Sequence, residues 1–160
     1  MKRTLMATAA ASAIAVAMIA GFEGYRQHAY DDGVGVQTVG FGSTRREDGQ
    51  PVKPGDTVTP GRAVILLARD ADRIAQELAE CIGNVPLYKY EWDAYVSWAY
   101  NVGSSAACRS TLVKKLKASP PDYAGACREL LKWTKAGGRE LPGLVKRRQA
   151  ENRLCMGGEP

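Results

Sequence analysis

The hydrophobic and polar positions change rhythm three times along the chain. Residues 4–22 are uncharged throughout, with no polar face opposite the apolar one. From Tyr25 to Arg45, aromatic and β-branched residues alternate with Gly33, Gly35, Gly40 and Gly42, a pattern that predicts short hairpin strands joined by tight turns. "REDGQPVKPGDTVTPG" is loop chemistry, with Asp48-Gly49 as a turn signal. The period then becomes helical. Thr59 is a suitable N-cap and Pro60 a suitable first residue for a helix through about Leu78, in which Val64, Leu67, Ala71, Ile74 and Leu78 recur on one face. Further helices are predicted from about Glu91 to Val102, Ser110 to Lys117, Tyr123 to Lys135 and Leu141 to Leu154. Strands come early and helices late, so a small sheet-bearing lobe joined to a larger helical lobe is expected, with a cleft at the junction.

The uncharged run changes that picture. It holds 19 residues behind Lys2 and Arg3, and as one helix it would span about 28 Å against a hydrocarbon core of about 30 Å. Eight of the 19 are alanine, so it would enter a bilayer weakly. It reads as an export signal. A cleaved signal peptide is the competing reading, with Ala15-Val16-Ala17 as a small-x-small site, although that site comes late in the run. The formal charge of +5 falls to +3 without Lys2 and Arg3, a modest basicity that suits an anionic partner without choosing among cell wall, membrane and nucleic acid.

The four cysteines, Cys81, Cys108, Cys127 and Cys155, all follow the apolar run, and an even count in an exported chain predicts disulfides. Three pairings are open at this point. Zinc is disfavoured, because there is no CxxC and His28 is the single histidine. The glycines of residues 33–42 have no helix opening directly after them and no Gly-Lys-Ser/Thr, which argues against a phosphate loop. His28 has no nucleophile to serve, the tryptophans at helical spacing read as core, and Lys146-Arg147-Arg148 reads as a solvated face.

The carboxylates carry the chemistry. Glu23, the first acidic residue, stands at the end of the apolar run, and Asp32 enters the predicted hairpin nine residues later. A chain that folds back between them can aim both at one bond, which is the arrangement glycoside hydrolysis uses: one carboxyl protonated as general acid, one ionised to activate water or stabilise positive charge.

Glu23, eight residues, Asp32, five residues, Thr38 and then "VGFG" resembles the Glu/Asp/Thr signature of the phage-type lysozymes, the muramidase endolysins related to the lysozyme of T-even bacteriophages. "WDAYVSWAYNVG", "CRSTLVKKL", "GACRELLKWTKAGG" and "LPGLVKRRQAENRLC" extend the similarity over nearly all of residues 21–157. The apolar N-terminus resembles the signal-anchor-release subgroup, which is tethered to the membrane and later freed into the periplasm. The resemblance implies an α+β, mainly helical, lysozyme-like fold with the active site between the two lobes. Its domain plan would be a weakly hydrophobic signal-anchor-release segment over residues 1–22, whose end becomes the first helix, and a single lysozyme domain over 23–160.

The resemblance also implies roles. Glu23 would be the acid, Asp32 its partner and Thr38 the hydroxyl that helps hold the attacking water, with Asp31 separated from Asp32 by register alone. Thr44, Tyr100 and Thr111 would contact substrate, while Cys127 stands at a position that is polar in the family and puts a sugar contact there in doubt. The implied disulfides are Cys81–Cys108 and Cys127–Cys155. No cysteine precedes Cys81, so an exchange of disulfides with the anchor is closed to this chain. The expected activity is hydrolysis of the β-1,4 bond between N-acetylmuramic acid and N-acetylglucosamine. The expected partners are peptidoglycan and, through residues 4–22, the bacterial inner membrane, for a monomer without cofactor, metal or nucleic acid. Before release, Ile14, Met18 and Phe22 would share the face that later packs on the enzyme. A lytic transglycosylase is the alternative enzyme and is disfavoured by Thr38, since it needs no water. A non-catalytic cell-wall-binding protein is the alternative from another class.

Overall fold

The computed structural model describes residues 2–5, 10–33 and 35–159; residues 6–9 of the expected anchor segment and Val34 of the hairpin lie outside the described residues. Its elements in order are β1 (Thr4–Leu5), α1 (Ala13–Glu23), β2 (Arg26–Asp31), β3 (Gln37–Gly40), α2 (Pro60–Ile82), β4 (Pro86–Leu87) and α3 (Lys89–Val102). They continue with α4 (Ser104–Cys108), α5 (Thr111–Leu116), α6 (Tyr123–Glu129) ending in a 3-10 turn (Leu130–Lys132), β5 (Lys135–Ala136), β6 (Arg139–Glu140) and α7 (Pro142–Cys155). The fold is the expected one, mainly helical with small antiparallel sheets.

The small lobe is the β2–β3 hairpin, with Tyr30 opposite Thr38 and Asp31 opposite Gln37, and the loop that follows it. Its core is Val39, Val52 and Val58 packed on Ala63 and Leu66 from the first turns of α2. The hairpin approaches α2 so closely that a Cβ on Gly40 would stand 3.0 Å from that of Ala63, and glycine also meets its φ of +68°. At 23 residues α2 is long enough, about 35 Å, to leave that lobe and bury Ile74, Ala75, Leu78 and Ile82 in the other. Val64, expected on the buried face, is exposed; Ala63 and Leu66 are buried beside the expected Leu67, and the helix runs four residues beyond Leu78.

The helical lobe is built around α3, whose residues from Glu91 to Ala99 are all buried because α1, α2 and α7 cover it on different sides. A helix covered all round can hide polar side chains only by pairing them. Trp92 and Trp98 are core, as their spacing implied, and Trp133 meets Trp98 edge-on at 5.3 Å between ring centres. Cys81 is joined to Cys108 and Cys127 to Cys155, which is also the pairing the resemblance implies. The helix expected from Tyr123 to Lys135 stops early and gives way to the β5–β6 hairpin, and the short α4 was not expected at all.

Within the apolar run, Ser12 caps α1 by accepting from the amides of Ile14 and Ala15. Gly24, at φ +71°, ends the helix. The buried residues are Ala15, Met18 and Ile19, not the expected Ile14, Met18 and Phe22: Ile14 and Phe22 are on the exposed side. The helix is apolar all round, so periodicity left its rotation open. Among the described residues no helix is long and apolar enough to cross a membrane.

Candidate functional site

Glu23 is the last residue of α1. A carboxylate there faces the negative end of the helix dipole, and a cation offsets it. Arg147 of α7 donates from Nη1 to Glu23 Oε1 at 2.6 Å. Arg147 is itself nearly inaccessible and fully engaged: Nε donates to Glu151 Oε1 at 3.1 Å and Nη2 to the Ser97 carbonyl at 3.0 Å. Ser97 Oγ donates to the same Glu151 oxygen at 2.7 Å. Arg148 completes the cluster, lying 2.7 Å from Glu151 Oε2 and bonded through Nη2 to Asn101 Oδ1. The Arg148–Glu151 contact is an ion pair by distance without the alignment of a hydrogen bond, so those atoms have no hydrogen-bond partner among the described residues.

Burial pushes the Arg148 guanidinium down to about 10, with Glu151 opposing that shift. Burial likewise pushes the Glu151 carboxyl up, while both arginines and Ser97 pull it back. The Lys146-Arg147-Arg148 run is therefore not the solvated face expected of it: Arg147 and Arg148 are buried, and Arg147 holds Glu23 from behind. The signal that could have found them is Glu151, which α-helical spacing places three and four residues from the two arginines.

The second wall of the site is the hairpin and the loop after it. Gly42, at φ +93°, lies against Glu23: a Cβ there would be 3.7 Å from Glu23 Oε2 and 3.7 Å from Tyr100 Oη. Tyr100, on α3, donates to the Phe41 carbonyl at 3.1 Å and so ties the two lobes together beside Glu23. Burial, with Asp70 and Glu23 adding to it, pushes the Tyr100 hydroxyl up and keeps it a donor.

Asp32 lies at the exposed end of the hairpin, where its Oδ1 accepts the Val36 amide at 3.1 Å and its own amide donates to the Val36 carbonyl at 3.1 Å. Asp31 Oδ1 accepts from Gly33 at 2.7 Å and Gly35 at 3.1 Å, so it ties the turn. Side chains alternate along a strand, so the register that sets Tyr30 opposite Thr38 sends Asp32 to the Thr38 side and Asp31 to the other. Thr38 is buried and its Oγ1 donates to the Val36 carbonyl at 3.3 Å.

Thr44 and Tyr100 line one small cavity, about 170 Å³, together with Gly42, Asp70 and Arg73. Thr111 is exposed at the start of α5, outside that cavity. Cys127 is buried in its disulfide and cannot meet a sugar. A larger cavity, about 480 Å³, opens on the other side of Glu23 between Phe22, Asn101, Leu141, Leu144 and Lys146. One of about 500 Å³ in the small lobe, bounded by Arg46, Asp56 and Val58, touches none of the candidate carboxylates.

Residues 20–151 match the family model for phage lysozyme. A SAR-endolysin of bacteriophage PS119 is 34% identical, over 99% of this chain and 96% of that protein. Among solved structures, the endolysin from Escherichia coli O157:H7 phage FAHEc1 superposes with a TM-score of 0.79 at 30% identity, covering 93% of this chain and 95% of that one. The muramidase domain of SpmX from Asticaccaulis excentricus does so with a TM-score of 0.78 at 27% identity, covering 91% and 96%. A family match over most of the chain, joined to a fold that brings Glu23 to the junction of the lobes, leads to one assignment: the chain belongs to the phage lysozyme family and is a glycoside hydrolase of the lysozyme type.

Proposed function

We propose that the chain is a muramidase endolysin that hydrolyses the β-1,4 bond between N-acetylmuramic acid and N-acetylglucosamine in peptidoglycan. The observation that carries this reading is the placement of Glu23: its Oε1 is held by Arg147 and its Oε2 faces the loop of the small lobe. A proton on Oε2 is aimed where a glycan lying between the lobes would present its bridging oxygen. Donating it breaks the bond from C1 to that oxygen. Asp32 and the lone pairs of Thr38 Oγ1 accept hydrogen bonds from the incoming water, whose oxygen joins C1 as Asp32 takes its proton. Thr44 and Tyr100, beside that position, would contact the sugar, and Thr111 would do so from α5. The enzyme acts as a monomer and needs no nucleic acid. Peptidoglycan fragments made by purified protein test the reaction by mass: reducing ends support hydrolysis, and anhydro ends, lighter by one water, would assign a transglycosylase.

The same proposal places the chain first at the inner membrane, held by residues 4–22, and afterwards free in the periplasm. The uncharged run and the name of the PS119 relative support this. The structure indicates where to test it. Ala10, Ala13 and Ala17 are exposed, so leucine at all three leaves the core untouched while adding about 7 kcal/mol of preference for lipid, at about 0.8 kcal/mol per buried carbon. Fractionation should find that variant in the membrane and the parent partly soluble at full length. A soluble parent shortened near Ala17 would show that a peptidase releases it instead.

A further inference from the structure

Arg3 occupies a built receptor on the helical lobe. Its guanidinium grips Glu91 with two bonds, Nε to Oε2 at 3.1 Å and Nη2 to Oε1 at 2.8 Å. It also lies between two aromatic rings, 4.1 Å from the centre of Tyr88 and 3.7 Å from that of Tyr123. The flat, forked guanidinium suits such a slot in a way an ammonium does not. Glu91 is 2% exposed and also accepts the Tyr88 amide at 2.7 Å, closing the cap of α3. Without a cation it would be a buried carboxylate with no countercharge, a costly state. The adjoining β1 strand pairs with β4, Thr4 with Leu87 and Leu5 with Pro86. Past residues 6–9 the segment is held again, where the Ala11 amide donates to Asp72 Oδ1 at 2.8 Å. The slot borders a cavity of about 150 Å³ whose lining includes Cys127 and Cys155.

We infer that Tyr88, Glu91 and Tyr123 form a docking site for the N-terminal arm, with the Arg3 guanidinium as its ligand, and that this site captures the arm after it leaves the membrane. The second half rests on the reading of residues 4–22 as a releasable tether. While that segment spans the bilayer, Lys2 and Arg3 stay on the cytoplasmic side, as basic residues flanking a span do, and the site is empty. Release draws a cation through lipid, which is unfavourable, and the paired seat offsets that cost. A docked Arg3 must leave Glu91 and both rings before the segment can re-enter the bilayer. The residue that sets orientation in the membrane is thus the one that latches the soluble enzyme.

Two variants test this. Arg3→Lys keeps the charge but loses the fork, and Tyr123→Ala removes one wall without touching the membrane segment. Full-length soluble protein is followed by hydrogen exchange at the amides of residues 4–5, and cells by fractionation and lysis onset. Of the two, the amide that faces β4 should be protected about tenfold or more over an unstructured chain in the parent and unprotected in both variants. Activity on isolated peptidoglycan should stay unchanged. The membrane-bound fraction should rise about threefold to tenfold relative to the soluble one, and lysis should come later. No protection of that amide in the parent would overturn the docking site. Lost protection with parental partitioning would overturn its role in release. A parent never found in the membrane, with protection still lost in the variants, would remove the tether reading and leave the docking site standing.

Discussion

Glu23 and Asp32, the two candidate carboxylates, stand on opposite kinds of structure. Glu23 ends a core helix and is fixed by a partner 124 positions away, itself locked to Glu151 and the Ser97 carbonyl inside the helical lobe. Asp32 stands on an exposed turn, where its Oδ1 accepts the amide of Val36, four residues on. One carboxylate is held by a side chain from the far end of the sequence, and the other bonds within its own turn. An acid that must hand over a proton along one direction benefits from rigid support, whereas a carboxylate that orients water and faces positive charge tolerates solvent and some motion. Damage to the helical core should therefore reach Glu23 first, and damage to the hairpin should cost activity with little loss of stability.

The largest effect should come from the two carboxylates. Glu23→Gln keeps size and polarity but cannot give up a proton, so turnover should fall by about 10²–10⁴-fold with the circular dichroism spectrum intact. Asp32→Asn should lose activity on a similar scale. Turbidity clearing at a substantial fraction of the parental rate by the Gln variant would reject Glu23 as the acid.

Next in size, Arg148→Met should leave Glu151 short of a partner in a fully buried position. Breaking such a pair from one side costs about 3–5 kcal/mol, read as a fall in the urea midpoint. Because Glu151 also holds Arg147, activity should fall further than the unfolded fraction explains.

Reduction of the disulfides should act on the helical side alone. Cys127–Cys155 ties α6 to the end of α7, the helix that carries Arg147, and Cys81–Cys108 ties α2 to α4. Each closes a loop of nearly thirty residues, worth about 3.5 kcal/mol in the chain-entropy account. A reductant should lower the thermal midpoint accordingly, and thiol titration of protein taken from the periplasm should find no free cysteine.

The hairpin that carries Asp32 and Thr38 was legible in the sequence as a hairpin because it is local: these residues and the glycines lie within eleven positions and their pattern is that of turns. The helical half was not. Arg147 and Arg148 look like any basic run, and only the burial of α7 against α3 makes them internal. Glu91 and Arg3 are hidden for the same reason, being far apart in sequence and joined by tertiary packing. The rotation of α1 was illegible for another reason. A helix of Ala, Ile, Val, Met and Phe offers no polar side, so the choice of Ala15, Met18 and Ile19 as its buried face is made by α2 and α3.

Asp31→Asn should produce the smallest effect and sharpens the comparison most finely, because it separates neighbours that composition cannot. Asp31 Oδ1 accepts two turn amides, and the carbonyl oxygen of asparagine can accept both. The group is exposed, so the loss of its charge should shift stability by no more than about 0.5 kcal/mol. Strand alternation sends its side chain away from the Thr38 side, so no step of the reaction uses its ionised form. Activity should therefore stay near the parental value while Asp32→Asn loses it. If the two variants trade places, the register at the end of β2 is one residue out, and the carboxylate facing Thr38 is Asp31.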